Sequence, residues 1–162
     1  MQFFPPTFIL RHRKENLKKC SLRGLEKRQD FVFIDYPIEP LPPLKDYILL
    51  TIDAPPLEPQ QTHHGLLLLD GTWRYAEAME KWVLQQKLPL IHRSIPSEFR
   101  TAYPRCQTAC AFPDQGLASI EALYVAYMIM NRDVSELLEN YYWKNEFLIR
   151  NQSILDSIKN NI

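Results

Sequence analysis

The sequence lacks the features that would place it among secreted or membrane proteins. Its three cysteines, Cys20, Cys106 and Cys110, are an odd number, which argues against a disulfide framework and favours a reducing compartment. No apolar run approaches membrane-spanning length, and the N-terminus places apolar residues before basic ones, the reverse of a secretory signal. We therefore expect a soluble, cytoplasmic protein that has no association with a membrane.

Common catalytic motifs are also missing. The chain contains no GxGxxG, no GxxxxGK[ST], no HExxH and no GxSxG, which removes the commonest nucleotide-binding, metalloprotease and hydrolase interpretations. The 19 Lys and Arg residues balance the 19 Asp and Glu residues, so the overall charge says nothing about nucleic acid.

The distribution of charge is uneven. Residues 11–28 contain eight basic side chains against Glu15 and Glu26 alone: Arg11, Arg13, Lys14, Lys18, Lys19, Arg23, Lys27 and Arg28. Such a local excess can follow a phosphate backbone. It is equally compatible with a solvated loop and helix face, and charge alone leaves the two alternatives open.

The order of apolar segments predicts an α/β fold. Short runs rich in β-formers predict strands at FILRH, FVFIDY, YILLTID, LLLLD (66–70), LPLIH (88–92) and QTACAF (107–112). Helical spacing predicts helices over 73–86 and 118–131, and one or two more within 134–159. Strands that alternate with helices predict a parallel sheet with helices on both faces. The 162 residues suit one compact domain, although residues 1–60 have few helical signals and could form a separate lobe before 61–162.

The first candidate site is the strand-to-helix junction Asp70-Gly71-Thr72-Trp73. Ligands of open α/β sheets bind at the carboxyl ends of strands. A carboxylate there can receive an amino group or hydroxyl, and the indole of Trp73 offers a face that attracts cations, which suits an amino acid or a sulfonium ligand. The alternative is ordinary helix-start chemistry, in which Thr72 caps the helix, Asp70 favours its positive end and Trp73 packs in the core.

A second candidate is GLASIEAL (116–123), where exposed amides at a helix start could bind a carboxylate or an adenine edge. Ser119 as N-cap with Glu121 in the first turn explains the same residues without a ligand. A metal site would need His63, His64, Cys106 and Cys110 to meet. Their spacing is unusual for zinc, and Cys110 lies in an apolar segment, so we expect no metal.

Several segments together resemble one group of proteins. KENLKKCSLRGL (14–25), LLLLDGTW, LPLIHRSIP, GLASIEALYVA and YYWKNEFLIRNQSILD (141–156) resemble, in the same order, motifs of the 18S ribosomal RNA aminocarboxypropyltransferases. The residues DGTW (70–73) and PSEFR (96–100) more closely resemble motifs of the related DTW-domain enzymes, which modify a transfer RNA uridine. LPLIHRSIP and residues 104–115 depart from the family pattern.

The resemblance implies a SPOUT-like α/β domain with a deep C-terminal trefoil knot, preceded by a small β-rich N-terminal lobe. It implies S-adenosylmethionine as cofactor and transfer of its 3-amino-3-carboxypropyl arm to N3 of a uridine-type base in structured RNA. Ribosomal RNA is slightly favoured over transfer RNA. It also implies a monomer without zinc.

The same resemblance implies residue roles. Trp73 and Ala76 would enclose the methyl and sulfonium, and Asp70 would face the amino acid end. Leu88 and Gln115 would approach the adenine, Ser119 the methionyl moiety and Ser21 the ribose. Glu121 is the preferred general base, with Asp70 as the other carboxylate. The implied RNA contacts are Arg11, Arg13, Lys14, Lys18, Lys19 and Arg23, with Arg74, Arg93, Arg100 and Arg105 as further candidates near the cofactor.

Two alternatives remain at this point. A protein with the same fold and cofactor could transfer methyl, as most SPOUT proteins do. A protein of a different class, a ribosomal RNA assembly factor, could bind RNA through residues 11–28 without any chemistry.

Overall fold

The structure is a computed structural model that describes residues 3–12, 20–37, 40–71, 73–104 and 116–160, and only the backbone at Trp73 and Arg74. The chain forms two compact units. The sheet unit consists of Met1–Pro55 and His63–Ser94, and the helical unit consists of Pro56–Thr62 and Ile95–Ile162. Each unit therefore contains two separate stretches of the chain.

The sheet unit contains five parallel strands. They are β1 (Thr7–His12), β2 (Phe31–Tyr36), β3 (Tyr47–Leu50), β4 (Gly65–Asp70) and β5 (Ile91–Arg93), in the order β2-β1-β4-β3-β5. All five overlap predicted strands, and the prediction of a parallel sheet is confirmed. β5 is shorter than the predicted strand, which began at Leu88.

The run of four leucines explains why β4 lies at the centre of the sheet. Leu66, Leu67 and Leu68 are all buried, so side chains on both faces of the strand avoid water. On one face, Leu67 packs in a core with Leu10, Leu49, Met79 and Val83. At the edge of the sheet, this strand would leave one row of backbone N–H and C=O groups unpaired, whereas β1 and β3 pair with it on both sides.

One helix, α1 (Trp73–Gln85), follows β4 directly. Met79 and Val83 are four positions apart, so they lie on one helix face, and both are buried in the core beside Leu67. Glu77 and Leu84 point to solvent. The predicted helix over 73–86 is thus confirmed to within one residue.

The strands predicted for residues 1–60 do not form a sheet of their own. β1 and β3 both pair with β4, because the buried leucine run needs a neighbour on each side. The small N-terminal lobe, the domain boundary at residue 60, the helices on both faces and the trefoil knot stay predictions.

The helical unit contains α2 (Ser119–Ile129), α3 (Lys144–Arg150) and α4 (Gln152–Asn160). Nine of the eleven residues of α2 are buried, so the helix predicted over 118–131 forms the core of this unit. Residues 134–143 form turns, so the helical part of 134–159 begins later than predicted. The strand predicted at 107–112 lies outside the described residues.

Asn151 joins α3 to α4 and fixes the chain before residue 104. It is 2% exposed, and its side-chain oxygen accepts a hydrogen bond from the Arg100 N–H at 2.8 Å. Its amide donates to the carbonyls of Arg100 at 2.9 Å and Phe147 at 2.8 Å.

No helix in the described part of the chain is both long and apolar enough to cross a membrane.

Candidate functional site

The carboxyl edge of the sheet brings together two charged residues. Arg11 and Asp70 are register partners on the adjacent parallel strands β1 and β4, so their side chains lie on the same face. Arg11 Nε donates to Asp70 Oδ2 at 3.1 Å, and the two residues are only 6% and 3% exposed. The guanidinium carbon also lies 4.4 Å from the centre of the Phe33 ring. The strand ends therefore form a buried ion pair.

Two further side chains complete what we call the Asp70 cluster, which consists of Arg11, Cys20, Glu26 and Asp70. The Cys20 thiol donates to Asp70 Oδ2 at 3.2 Å, and Arg11 donates to Glu26 Oε1 at 3.1 Å. Arg11 also lies 3.5 Å from Cys20 Sγ. The cluster thereby joins β1 and β4 to the turns that contain Cys20 and Glu26.

Burial and charge determine the protonation states in this cluster. Burial, reinforced by the neighbouring Asp70 carboxylate, raises the pKa of Cys20 to about 12, so the thiol stays protonated near neutral pH. Burial alone would lower the pKa of Arg11, but its attraction to Cys20 and Asp70 raises the pKa overall. Burial also opposes ionisation of Glu26, yet hydrogen bonds from its own backbone, from the Gly24 N–H and from Arg11 lower its pKa.

These contacts change the roles expected for two residues. The Asp70 carboxylate was predicted to face a ligand, and instead one of its oxygens is shared by Arg11 and Cys20. Arg11 was predicted to contact RNA phosphate, but it is buried and paired with Asp70 and Glu26. Its burial in a strand whose residues are buried on both faces gives it a structural role, because a phosphate contact requires an accessible guanidinium.

Aromatic rings pack between the strand ends and α1, on the face of the sheet opposite to the Asp70 cluster. The His12 ring stacks on Tyr75 with 3.9 Å between centroids and an angle of 15° between the planes. Tyr36, at the end of β2, lies 5.3 Å from His12 and meets Trp82 edge to face, also at 5.3 Å. This group holds α1 against β1 and β2 at two positions, Tyr75 and Trp82.

Gly71 allows β4 to turn into α1 at this point. A Cβ at residue 71 would lie 2.9 Å from the Met79 sulfur, closer than ordinary contact, and 3.4 Å from His12 Cβ. A larger residue here would therefore require the Met79 side chain to shift. A second link joins the helix to the sheet, since the Thr51 hydroxyl after β3 donates to Glu80 on α1 at 2.8 Å.

The structure places Trp73 as the first residue of α1 and the half-buried Ala76 three positions later. Residues three apart on a helix share a face, so the two residues predicted to enclose the methyl lie on one side of α1. The first turn of α1 contains no Asp or Glu. Its positive end thus has no acidic side chain of its own within that turn.

Glu121 lies in the interior of the helical unit. It is 0% exposed, and each of its carboxylate oxygens accepts two hydrogen bonds. Oε1 accepts from the Thr101 hydroxyl at 2.6 Å and the Ala118 N–H at 2.8 Å. Oε2 accepts from the Ala102 N–H at 2.9 Å and the Tyr141 hydroxyl at 3.0 Å.

This arrangement contradicts the role of Glu121 as general base. A carboxylate offers about four acceptor positions. All four are filled by donors of the chain, and the side chain has no access to solvent or substrate. A second detail differs as well, because the N-cap of α2 is Ala118 and not Ser119. Glu121 stabilises the helix start by reaching back to the Ala118 N–H.

The remaining predicted residues fall into three groups. Ser21 and Ser119 are half-buried, and Leu88 packs against the core beside Met79 and Val83. Arg23 is exposed. Outside the described residues lie Arg13, Lys14, Lys18, Lys19, Arg105 and Gln115, and the Trp73 and Arg74 side chains.

Sequence reasoning missed the thiol of Cys20, the stack of His12 on Tyr75, and the two hydroxyl donors to Glu121, Thr101 and Tyr141. Of these, only Cys20 was indicated by the sequence, because it lies in KKCS (18–21), within one of the segments that carry the resemblance. Among the described residues, no group of three or more His, Cys, Asp or Glu side chains could hold a metal ion.

Comparison with known proteins identifies the fold. The chain is similar to the SAM-dependent rRNA:acp-transferase Tsr3 from Vulcanisaeta distributa, with a TM-score of 0.72 and 23% sequence identity. The alignment covers 95% of this chain and 82% of that protein. The two chains share a fold. No protein-family model matches the sequence, and no curated protein does.

Proposed function

We propose that this protein transfers the 3-amino-3-carboxypropyl group of S-adenosylmethionine to N3 of a uridine-type base in RNA, with ribosomal RNA as the first candidate substrate. The observation that carries the proposal is the fold, which matches a SAM-dependent rRNA:acp-transferase over 95% of the chain. Two features of the sheet unit support it: the strand-to-helix junction after β4, and the position of Trp73 and Ala76 on one side of α1.

The residues at this junction suit the cofactor, but the role of Asp70 differs from the one that the resemblance implies. The transferred arm carries a carboxylate, and the start of α1 offers backbone N–H groups and a positive helix end without an acidic side chain. The indole of Trp73 suits a sulfonium, because aromatic faces attract cations. Asp70 is engaged by Arg11 and Cys20, so its task is to hold the junction in place rather than to receive the ligand alone.

The sulfonium of the bound cofactor activates three attached carbons, and its orientation decides which group leaves. We assign to Trp73 and Ala76 the exclusion of the nucleophile from the methyl group. The small side chain of Ala76 leaves room that a larger residue would fill. The stacked rings of His12 and Tyr75 hold this part of α1 against β1, which supports the orientation of the cofactor.

Neither carboxylate predicted to act as a base is available to the substrate. The Glu121 carboxylate already accepts hydrogen bonds from four donors of the chain, and Asp70 is buried in the Asp70 cluster. We infer that the N3 proton leaves to water and that alignment of the base with the carbon supplies most of the acceleration.

The RNA would be held by basic side chains. Arg23 is exposed and carries this role among the described residues of the basic stretch, with Arg13, Lys14, Lys18 and Lys19 as further contacts. We further propose that the protein acts as a monomer in the cytoplasm.

Two labelled cofactors test the reaction. Purified protein is incubated with RNA and S-adenosylmethionine labelled either in the carboxyl carbon or in the methyl group, and the nucleosides are analysed by mass spectrometry. The proposal expects carboxyl label and the mass of the aminocarboxypropyl group in RNA. Methyl label alone would identify a methyltransferase, and RNA binding without either label would identify an assembly factor.

Two variants test whether the reaction takes place at the proposed junction. Trp73→Ala should abolish the transfer, whereas Tyr142→Ala should leave it intact, since Tyr142 is 85% exposed and belongs to the helical unit. Full transfer by Trp73→Ala would refute the assignment of the site even if the reaction itself is correct.

A further inference from the structure

The side chain of Arg93, the last residue of β5, has no acidic partner in the described part of the chain. Arg93 is half-buried, and it belongs to none of the ion pairs among those residues. Its Nη1 donates to the adjacent His92 carbonyl at 2.7 Å, but its Nε is shielded from solvent and meets no acceptor among the described residues. Buried donors are almost always paired, so the unpaired Nε of a charged group indicates a partner that the chain itself does not supply.

The alternation of side chains along β5 directs Arg93 away from the acids of α1. His92 is the register partner of Leu49, whose face of the sheet packs against α1. Arg93 is the next residue and therefore points to the opposite face. Asp53, in the loop after β3, is exposed and forms no ion pair with Arg93. The charge of Arg93 is thus available to an anion from outside the chain.

The guanidinium of Arg93 offers a fork of two donors. Nε and Nη2 lie on the same edge of the group, and this edge matches two oxygens of a phosphate or a carboxylate. Nη1 lies on the other side and makes the single bond to the His92 carbonyl. A turn of the side chain toward an anion would break only that bond and would give the buried Nε an acceptor.

Thr51 fixes the backbone of Arg93 relative to α1. Its N–H donates to the Arg93 carbonyl at 2.9 Å, and its hydroxyl donates to Glu80 Oε1 at 2.8 Å. Because β3 lies between β4 and β5, two strand spacings, about 10 Å, separate β5 from the strand that leads into α1. Arg93 therefore lies on the same carboxyl edge of the sheet as the proposed junction, at a short and fixed distance from it.

We propose that Arg93 binds a phosphate group of the RNA and thereby sets the position of the RNA relative to the junction after β4. This inference rests on the proposed function, which makes RNA the substrate. A phosphate is favoured over the carboxylate of the cofactor, because the start of α1 already offers donors to that carboxylate and lies two strands away from β5. Phosphate contacts fix the register of a nucleic acid without reading its sequence.

Two variants separate the fork from the charge. Arg93→Met keeps an apolar side chain and removes the charge, so its melting temperature should equal or exceed that of the wild type, because no ion pair is lost. An arginine that serves the fold would instead cost stability when it is replaced. Arg93→Lys keeps the charge but has no planar fork.

The matched control is Arg150→Met. Arg150 also donates from Nη1 to a carbonyl, that of Thr101 at 2.8 Å, but it is exposed and belongs to the helical unit. Its replacement removes the same charge from the full-length protein. It therefore separates a local contact at Arg93 from a general loss of attraction to RNA.

The experiment measures filter binding of ribosomal RNA at several salt concentrations, calorimetry with S-adenosylmethionine, and melting temperature. We expect R93M to weaken RNA binding by about tenfold and to reduce the slope of log affinity against log salt by about 1. R93K should keep the slope of the wild type but bind RNA about threefold more weakly, and it provides the test if R93M does not fold. R150M should bind RNA like the wild type, and the affinity for S-adenosylmethionine should be unchanged in all variants.

Four results would overturn the proposal. R93M could bind RNA like the wild type, or R93M and R150M could weaken it equally, which would indicate a diffuse attraction. R93K could match the wild type, which would show that the fork has no role. A loss of affinity for S-adenosylmethionine in R93M would assign the anion to the cofactor. If the wild type transfers label to RNA while any of these results holds, this inference alone fails, whereas a wild type that binds no RNA removes the proposed function as well.

Discussion

Arg11 and Asp70 occupy directly opposite positions on two adjacent parallel strands, and their side chains form a buried ion pair of 3.1 Å. A buried pair of this kind contributes little when it is compared with apolar residues, but each charge depends strongly on the other. Because Asp70 precedes the junction into α1, the pair connects the stability of the sheet to the geometry of the proposed site.

Asp70→Asn should lower the free energy of unfolding by about 3 kcal/mol, because the buried Arg11 charge loses its main partner. Urea unfolding measures the change. Arg11→Met combined with Asp70→Asn should cost less than the sum of the two single variants. The exposed pair Glu77 and Lys81 is the control, since Glu77→Gln should leave stability unchanged. Additive losses at Arg11 and Asp70 would contradict the pairing.

The thiol of Cys20 predicts how stability depends on alkaline pH. Its folded pKa of about 12 lies above the ordinary value of a free thiol, so the folded state retains a proton that the unfolded state has lost. Stability should be fully present below about pH 9 and fall as pH rises toward 12, by up to about 1.4 kcal/mol per unit. Cys20→Ser should flatten this dependence.

Alkylation provides an independent measurement on Cys20. Iodoacetamide at pH 8 should modify this thiol only after unfolding, because the buried group stays protonated and the thiolate is the reactive form. Peptide mapping by mass spectrometry separates Cys20 from Cys106 and Cys110. Rapid labelling of Cys20 in the folded protein would contradict the Asp70 cluster.

Gly65→Ala should destabilise the sheet by about 1 to 3 kcal/mol, because the added carbon would overpack the core. It would lie 2.3 Å from the ring of Tyr47, the register partner on β3. The ring cannot move aside easily, since its hydroxyl donates to the Pro6 carbonyl at 2.7 Å and its edge packs on Phe8. Adding Tyr47→Leu should recover part of the loss in thermal denaturation, and an unchanged melting temperature of Gly65→Ala alone would refute the overlap.

Arg23→Gln should weaken RNA binding and reduce the slope of log affinity against log salt by about 1, as expected when one phosphate contact is lost. Arg28→Gln is the control, because Arg28 is half-buried and makes two hydrogen bonds to Asp30, at 3.0 and 2.8 Å, whereas Arg23 is exposed. Filter binding at several salt concentrations gives both slopes. An equal reduction in the two variants would indicate a diffuse electrostatic effect.

The strands and the first two helices could be predicted from the sequence, because each signal is local. The leucine run 66–69, the apolar segments between prolines and the spacing in 73–86 need no knowledge of distant residues. The order of strands could not be predicted, because pairing β1 with β4 depends on segments more than fifty positions apart. For the same reason the N-terminal strands were expected in a lobe of their own.

Charged residues were harder to interpret than apolar ones. Arg11 was grouped with Arg13 and Lys14 as one basic run, although it belongs to a strand that is buried on both faces. Its partner is Asp70, and no local pattern connects the two. Glu121 was recognised at a helix start, but its four donors come from Thr101, Ala102, Ala118 and Tyr141, which only the folded chain brings together.

The short stretch Pro56–Thr62 belongs with the helices although it is followed by β4. The Thr62 hydroxyl donates to the Met130 carbonyl, and Arg132 donates to the Thr62 carbonyl at 3.2 Å. A single truncation of the gene therefore cannot yield either half intact. A fragment that ends at Ser94 keeps Pro56–Thr62 but loses their partners Met130 and Arg132, and a fragment that starts at Ile95 lacks Thr62. Expression as fragments therefore requires co-production of both pieces.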